Sequence, residues 1–283
     1  YWLSPANPQA RLFLIDLVGE LVTYYNVDGV HFDYIRYPDP TISDYGYEPD
    51  CVQAFIEEFG IDPSTINTRR VEQGDTKSVN ELVLWNAWRT NKVTELVSIL
   101  SLEISSKRPN VLISASVAPT GAPDNPFPGL LQDWPYWMHL GILDYVVPMT
   151  YTSRPEELRG LARWAALLLD RAYPPVCGVQ IWKRKSCRDI TKQLTILNEE
   201  KADGAVLFAQ SCFNNDVSHA IKSFFDISKS EYITEEYPIK PLPHVSAIIP
   251  FTDSPPYIDG DLSDNAWAYA AELDISQDVM KPG

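Results

Sequence analysis

Asp28-Gly-Val-His-Phe-Asp-Tyr-Ile-Arg-Tyr-Pro38 decides the fold. Its short apolar run between polar and Gly/Pro boundaries predicts a buried parallel strand over residues 27–34. Side chains alternate along a strand, so His31 and Asp33 share one face while Val30 and Phe32 share the other, where covering helices would bury them. A polar pair facing inward is costly unless a pocket uses it. Asp33 then ends its strand beside Tyr34, Arg36 and Tyr37, at the end where barrel enzymes do their chemistry. The structural alternative for Asp33 is a loop cap or a partner for Arg36.

Outward from this strand the chain repeats one beat. A helical stripe over residues 8–25, with Leu12, Ile15, Leu17, Val18, Leu21 and Val22, precedes it. After it the pattern predicts a helix over 86–107, strands over 111–117 and 143–149, and a helix over 155–172. A strand over 176–182, a helix over 188–202, a strand over 204–209 and a helix over 216–225 complete the series. Helix alternating with strand implies parallel strands joined by crossover helices. A doubly wound sheet fits the same beat, but no Gly-rich phosphate loop follows any strand, which favours a barrel. Residues 39–81 break the beat, with a short helix over 52–59 and little else regular, and read as a lid or wall beside Asp33. Residues 1–228 thus form a barrel-type domain, residues 229–256, with six prolines between Pro238 and Pro256, a linker, and residues 257–283 the start of something new.

Composition narrows the partners. With 38 acidic against 23 basic residues in a chain of 283, the net charge of −15 repels phosphate backbones and anionic membrane surfaces, so no nucleic acid is expected. The longest apolar runs, such as residues 12–15, fall far short of a bilayer span, and no transmembrane segment is expected. Cys51, Cys177, Cys187 and Cys212 lack CxxC spacing, and His31, His139, His219 and His244 do not cluster, so neither a metal nor a cofactor is expected. The opening Tyr1-Trp-Leu-Ser-Pro carries no basic-then-apolar leader.

Tyr1-Trp-Leu-Ser-Pro-Ala-Asn-Pro-Gln-Ala-Arg11, the helix with Asp16, Leu17 and Glu20, and residues 28–38 together resemble the central signature of the glycosyl-hydrolase-like family ten. The likeness continues through Trp88-Arg-Thr-Asn-Lys-Val93 and residues 134–148, and covers roughly residues 1–225. It implies an α/β TIM barrel related to the α-amylase superfamily, found in secreted or envelope bacterial proteins, and hence an extracellular or cell-envelope location. On that template residues 27–34 are the fourth strand, so the chain holds about strands 4 to 8 of a (β/α)8 barrel that is N-terminally incomplete. The fourth strand would then be an edge, and the helix over 8–25 would leave leucines exposed. Residues 258–267 resemble the opening of a family-nine-type carbohydrate-binding module, the beginning of a β-sandwich.

The resemblance also implies chemistry. In the α-amylase relatives the fourth strand ends on a nucleophilic Asp, the position of Asp33, and His31 stands where they carry an Arg. Their acid/base Glu ends the next strand, whereas here residues 111–117 run into Ala118-Pro-Thr-Gly121 with no carboxylate. Asp124 is the choice for that role, with Asp133 and Glu48 as others. Asp28 and Asp144 begin their strands and read as structural. Aromatic rings near strand ends suit the apolar faces of sugars, and Tyr34, Tyr37, Trp134, Trp137, Tyr151 and Trp182 are so placed, Tyr151 and Trp182 most directly. His31, Arg36, Arg89, Asn91 and Gln180 would add polar contacts. The expected function is a glycoside hydrolase cleaving a bacterial cell-wall or plant polysaccharide with Asp33 and Asp124 catalytic. The alternative is a non-catalytic carbohydrate-binding TIM-barrel protein.

Overall fold

Asn7 starts the first helix by accepting a hydrogen bond from the Ala10 amide, and Pro8 presets the backbone of the first turn. This helix, α1 (Pro8–Tyr24), leads into β1 (Gly29–Phe32). The computed structural model describes residues 2–39, 44–119, 129–169, 175–182 and 186–231, all within one unit spanning residues 1–235. After β1 come α2 (Pro49–Phe59), α3 (Thr68–Glu72), α4 (Thr76–Lys107) and β2 (Leu112–Val117). Then follow α5 (Trp134–His139), β3 (Tyr145–Pro148), α6 (Pro155–Leu168) and β4 (Val176–Gln180). The series ends with α7 (Cys187–Glu199), β5 (Gly204–Phe208) and α8 (Asn215–Glu231).

All strand pairs are parallel, β1 to β2 to β3 in one ladder and β4 to β5 in another. Between the ladders the chain ends of β3 and β4 touch: the Thr150 hydroxyl donates to Gly178 O at 2.7 Å. Gly178 suits this close approach, because a Cβ would lie 3.1 Å from Pro148 O and 3.1 Å from the Tyr151 ring. Among the described residues only β2 is paired on both sides, and β1, β3, β4 and β5 each have one ladder partner.

The strands alternate as the period of two requires. Val30 and Phe32 of β1 and Ile113, Ala115 and Val117 of β2 turn outward, into a core shared with Val18 and Val22 of α1 and Val93, Leu96, Val97 and Leu100 of α4. Their neighbours His31, Ser114 and Ser116 turn inward. On β4, Cys177 and Val179 pack outward against Leu158, Ala162, Ile196 and Leu197, leaving Gly178 and Gln180 inward. Two pieces of the resembling sequence meet here, since the Arg11 guanidinium of α1 reaches Lys92 O at 3.1 Å and the Glu95 carboxylate at 2.8 Å on α4. Leu12, Phe13 and Leu17 on the other side of α1 are about half exposed.

Several expectations need correction. Residues 39–81 are far more regular than a lid: α2, a single 3-10 turn at Pro63–Thr65, α3 and the first turns of α4 occupy most of their described part. Local caps account for this, with Asp62 accepting from Ser64 N, Asn67 from Arg70 N and Asp75 from Ser78 N. The helix expected from Asn86 therefore begins at Thr76, ten residues earlier. Residues 134–139 form α5, where only a lead-in to a strand was expected. The last helix runs on to Glu231. The remainder of the linker and the sandwich opening lie outside the described residues.

Candidate functional site

At the end of β1 the chain makes a tight turn. Asp33 accepts the Tyr34 amide at 2.8 Å, Arg36 N donates to Tyr34 O at 2.8 Å, and Tyr34 adopts a left-handed backbone with φ 55°. That conformation is strained for a bulky residue and costs about 1–2 kcal/mol. The turn leaves Asp33 exposed, and among the described residues it forms no ion pair with Arg36. The Arg36 guanidinium instead lies 4.5 Å from the Tyr34 ring centre and donates to the Met149 thioether at 3.3 Å. Asp33 and Arg36 line an open, largely apolar groove of about 600 Å³ that runs between β1 and α1, with His31, Val30 and Phe32 on one side and Leu14, Leu17 and Leu21 on the other. A second groove of about 410 Å³, which shares Trp2 and Arg36 with the first, carries Glu48 and Tyr45.

His31 sits one pleat before Asp33 on the inner face. Both ring nitrogens are engaged, Nδ1 with the Ser114 hydroxyl and Nε2 with the Ser116 hydroxyl, each at 2.8 Å. Burial of the ring lowers its pKa below 6.5, against an opposing pull from Asp33. A neutral imidazole donates through one nitrogen and accepts through the other, and a serine hydroxyl satisfies either role.

Gln132, which sequence reasoning did not single out, ties this end together. Its Oε1 accepts Ala118 N at 2.9 Å, and its Nε2 donates to Ile35 O and Ser116 O, each at 3.1 Å. The side chain is buried, so one amide bridges the segments that follow β1 and β2.

Across the strand ends stands an aromatic corner. Tyr151 meets Trp182 edge-on at 4.9 Å between ring centres and stacks with Phe208 at 5.7 Å, while Trp182 and Phe208 meet edge-on at 5.8 Å. Burial first, and then the Asp33 carboxylate, raise the Tyr151 pKa, so Tyr151 and Asp33 share one electrostatic neighbourhood. Gln180, buried beside it, donates to Ser153 Oγ at 3.0 Å. Phe208 was overlooked although it ends its strand just as Trp182 follows its own.

Other predicted residues stand elsewhere. Trp134 and Trp137 are fully buried and Tyr37 is nearly so, which makes them core rather than sugar-facing; Trp137 Nε1 donates to Thr94 Oγ1 at 2.9 Å. Arg89 is 4% exposed in the middle of α4, where it meets Asp44 at 2.6 Å, the Tyr45 carbonyl, and Asn86 Oδ1 at 2.5 Å, with the Trp85 ring centre 4.9 Å away. It anchors the 44–47 segment, and Gly46 is needed because a Cβ there would lie 2.9 Å from Arg89 Cδ. Asn91 is exposed midway along α4 rather than at the opening of a helix. Asp124 lies outside the described residues. Asp133 caps α5 and burial raises its pKa, while Asp144 accepts the Ile113 amide at 2.6 Å where β2 begins. Among the described residues no group of three or more His, Cys, Asp and Glu side chains has the geometry to hold a metal, and no helix is long and apolar enough to cross a membrane.

A family model described as Glycosyl hydrolase-like 10 matches residues 1–172. This chain belongs to the Glycosyl hydrolase-like 10 family. The span that matches this family contains Asp33, Asp124 and Tyr151, and Gln180, Trp182 and Phe208 lie beyond it. Glycosyl hydrolase YngK of Bacillus subtilis (strain 168) is 27% identical over 168 residues, covering 54% of this chain and 28% of that relative. The chain therefore spans less than a third of the length of this curated relative. The catalytic domain of β-amylase from Paenibacillus polymyxa superposes with a TM-score of 0.56 at 12% identity, over 80% of this chain and 70% of that one. That likeness concerns the fold alone and supports an α/β fold of the TIM-barrel type.

Proposed function

We propose that this chain supplies the catalytic carboxylate of a glycoside hydrolase acting on a polysaccharide, with Asp33 as nucleophile. One observation carries the reading: in a Glycosyl hydrolase-like 10 chain, Asp33 ends an inner parallel strand, holds the Tyr34 amide through one oxygen and opens onto a groove. A carboxylate so held has an oxygen free to attack an anomeric carbon, while a second carboxylic acid protonates the leaving oxygen. We assign that second role to Asp124. His31, Tyr34 and Arg36 would line the sugar site on the Asp33 side, and Tyr151, Gln180 and Trp182 on the other. In this reading Arg89 and Asn91 act on the site only from a distance, Arg89 by anchoring the 44–47 segment.

The one-sided pairing of β1 and β5 and the exposed leucines of α1 support a larger eight-stranded barrel, in which these are strands 4 to 8. The family resemblance favours an extracellular or envelope setting, with a carbohydrate-binding sandwich opening at residue 257. A second reading, a glycan-binding barrel without catalysis, draws on one observation: Asp33 is the one carboxylate on its groove among the described residues. Asp33→Asn in the full-length protein separates the two. The hydrolase reading expects turnover of its glycan to fall by roughly a thousandfold or more with folding intact. Undiminished turnover would refute the assignment, and glycan binding by a wild type with no turnover would favour the binder.

A further inference from the structure

We infer that Phe208 completes, with Tyr151 and Trp182, an aromatic platform that selects a neutral pyranose ring with all-equatorial substituents at the C-terminal strand ends, where Asp33 also lies. The inference rests on the glycoside-hydrolase reading and adds a specificity-determining residue to it.

The register of β4 and β5 pairs Gln180 with Phe208. Because Cys177 and Val179 pack outward, Gln180 and Phe208 both project to the inner face, at the strand ends. Phe208 is 45% exposed on that face. Its contacts are themselves aromatic: it stacks with Tyr151 at an interplanar angle of 24° and meets Trp182 at 89°. Tyr151 and Trp182, at 77° to one another, close the third side. Three rings already fixed against each other lose little rotamer freedom when a ligand stacks on them.

The ligand class follows from the surface chemistry. A pyranose whose hydroxyls are all equatorial presents axial C–H bonds on both faces, and such a face packs on an aromatic ring while the rim hydroxyls seek polar groups. The Gln180 amide and the Tyr151 phenol supply that rim. An axial hydroxyl would press a polar group against the Phe208 ring and leave it without a partner. The chain's net charge of −15 works against an anionic polymer.

Calorimetric titration of the full-length protein in an Asp33→Asn background tests this, using cellohexaose and chitohexaose, with mannohexaose and polygalacturonate for comparison. Phe208→Ala should weaken binding of the first two by roughly five- to tenfold and abolish their preference over mannohexaose. Phe208→Tyr should restore both. With Asp33 present, the same loss should appear as a raised KM. Phe208→Leu keeps most of the apolar volume without the ring face and should behave like alanine, which covers the case in which alanine unfolds the protein. Unchanged affinity in Phe208→Leu, a tyrosine variant as weak as alanine, or polygalacturonate bound as tightly as the neutral hexaoses would overturn the platform. The two readings fail separately. Undiminished turnover in Asp33→Asn with weakened binding in Phe208→Ala removes the nucleophile and keeps the platform, whereas the opposite pair of results keeps the nucleophile and removes the platform.

Discussion

Replacing Gln132 by Met should loosen the end of the sheet that presents Asp33. The methionine fills nearly the same volume, so the loss is one of hydrogen bonds rather than of packing. Three bonds go: Ala118 N loses its acceptor, and Ile35 O and Ser116 O each lose a donor. An unsatisfied buried group costs about 1–3 kcal/mol, with carbonyls at the lower end because a second lone pair can keep another partner. Two strained residues precede the glutamine, Leu130 at φ 66° and Leu131 at φ 53°, and its bonds help to hold that turn. Relaxation of the turn returns part of the loss, which leaves an expected destabilisation of about 2–4 kcal/mol. Urea unfolding of the full-length protein, followed by far-ultraviolet circular dichroism, should show a lower midpoint at unchanged slope. Turnover should also fall while the folded fraction is still high, because Ile35 lies two residues beyond Asp33. A Gln132→Met protein within about 0.5 kcal/mol of wild type would refute the claim that this amide locks the two strand ends.

Other outcomes follow from the same geometry. Burial lowers the His31 pKa, so folding favours the neutral ring; that stabilisation is complete above pH 6.5 and is lost as pH falls through the lower folded value. Titration of the histidine resonances by NMR should place His31 below 6.5, and a value at or above it would contradict the partly desolvated, serine-held imidazole. Burial pushes the Cys177 thiol up to about 12, so native alkylation near pH 8 should label the partly exposed Cys187 and Cys212 well before Cys177; equal rates by peptide mapping would count against that packing. Arg89→Lys should cost about 1–3 kcal/mol, since a single ammonium nitrogen does not reproduce the two-nitrogen fork that reaches Asp44 and the Tyr45 carbonyl on one side and Asn86 on the other; a melting temperature equal to wild type would show that the anchor contributes nothing.

The limits of the sequence reading can be traced to particular residues. Residues 28–38 were legible because alternation, a flanking Gly and Pro, and a polar inner pair all point one way. The strands at residues 112–117 and 176–180 were found within a residue or two for the same reason. Helix α4 was read ten residues short because four of its first six residues, Thr76, Ser78, Val79 and Asn80, are weak helix formers, and its start depends on Asp75 capping Ser78. The stripe of α4 was further disguised by buried polar residues, Ser78, Asn86 and Arg89, which a periodicity argument counts as solvent-facing. Arg89 therefore looked like a ligand contact, although the loop that neutralises it lies some forty-five residues upstream. Trp134 and Trp137 misled in the same way: an aromatic near a strand end carries no local mark that separates core from platform.

Gln132 and Phe208 show the two sides of this problem. Gln132 acts through partners at residues 35, 116 and 118, and no pattern within its own segment distinguishes it from a surface glutamine. Phe208 could have been found, because the rule that picked out Trp182 applies equally to the last residue of β5. What the rule lacks is the neighbour across the sheet, since the proposed platform depends on Tyr151 and Trp182 meeting the Phe208 ring. Asp33 needed no such neighbour. Its strand alone fixes both its face and its end, and that is why the position of this carboxylate could be read from eleven residues while the aromatic contacts of Phe208 could not.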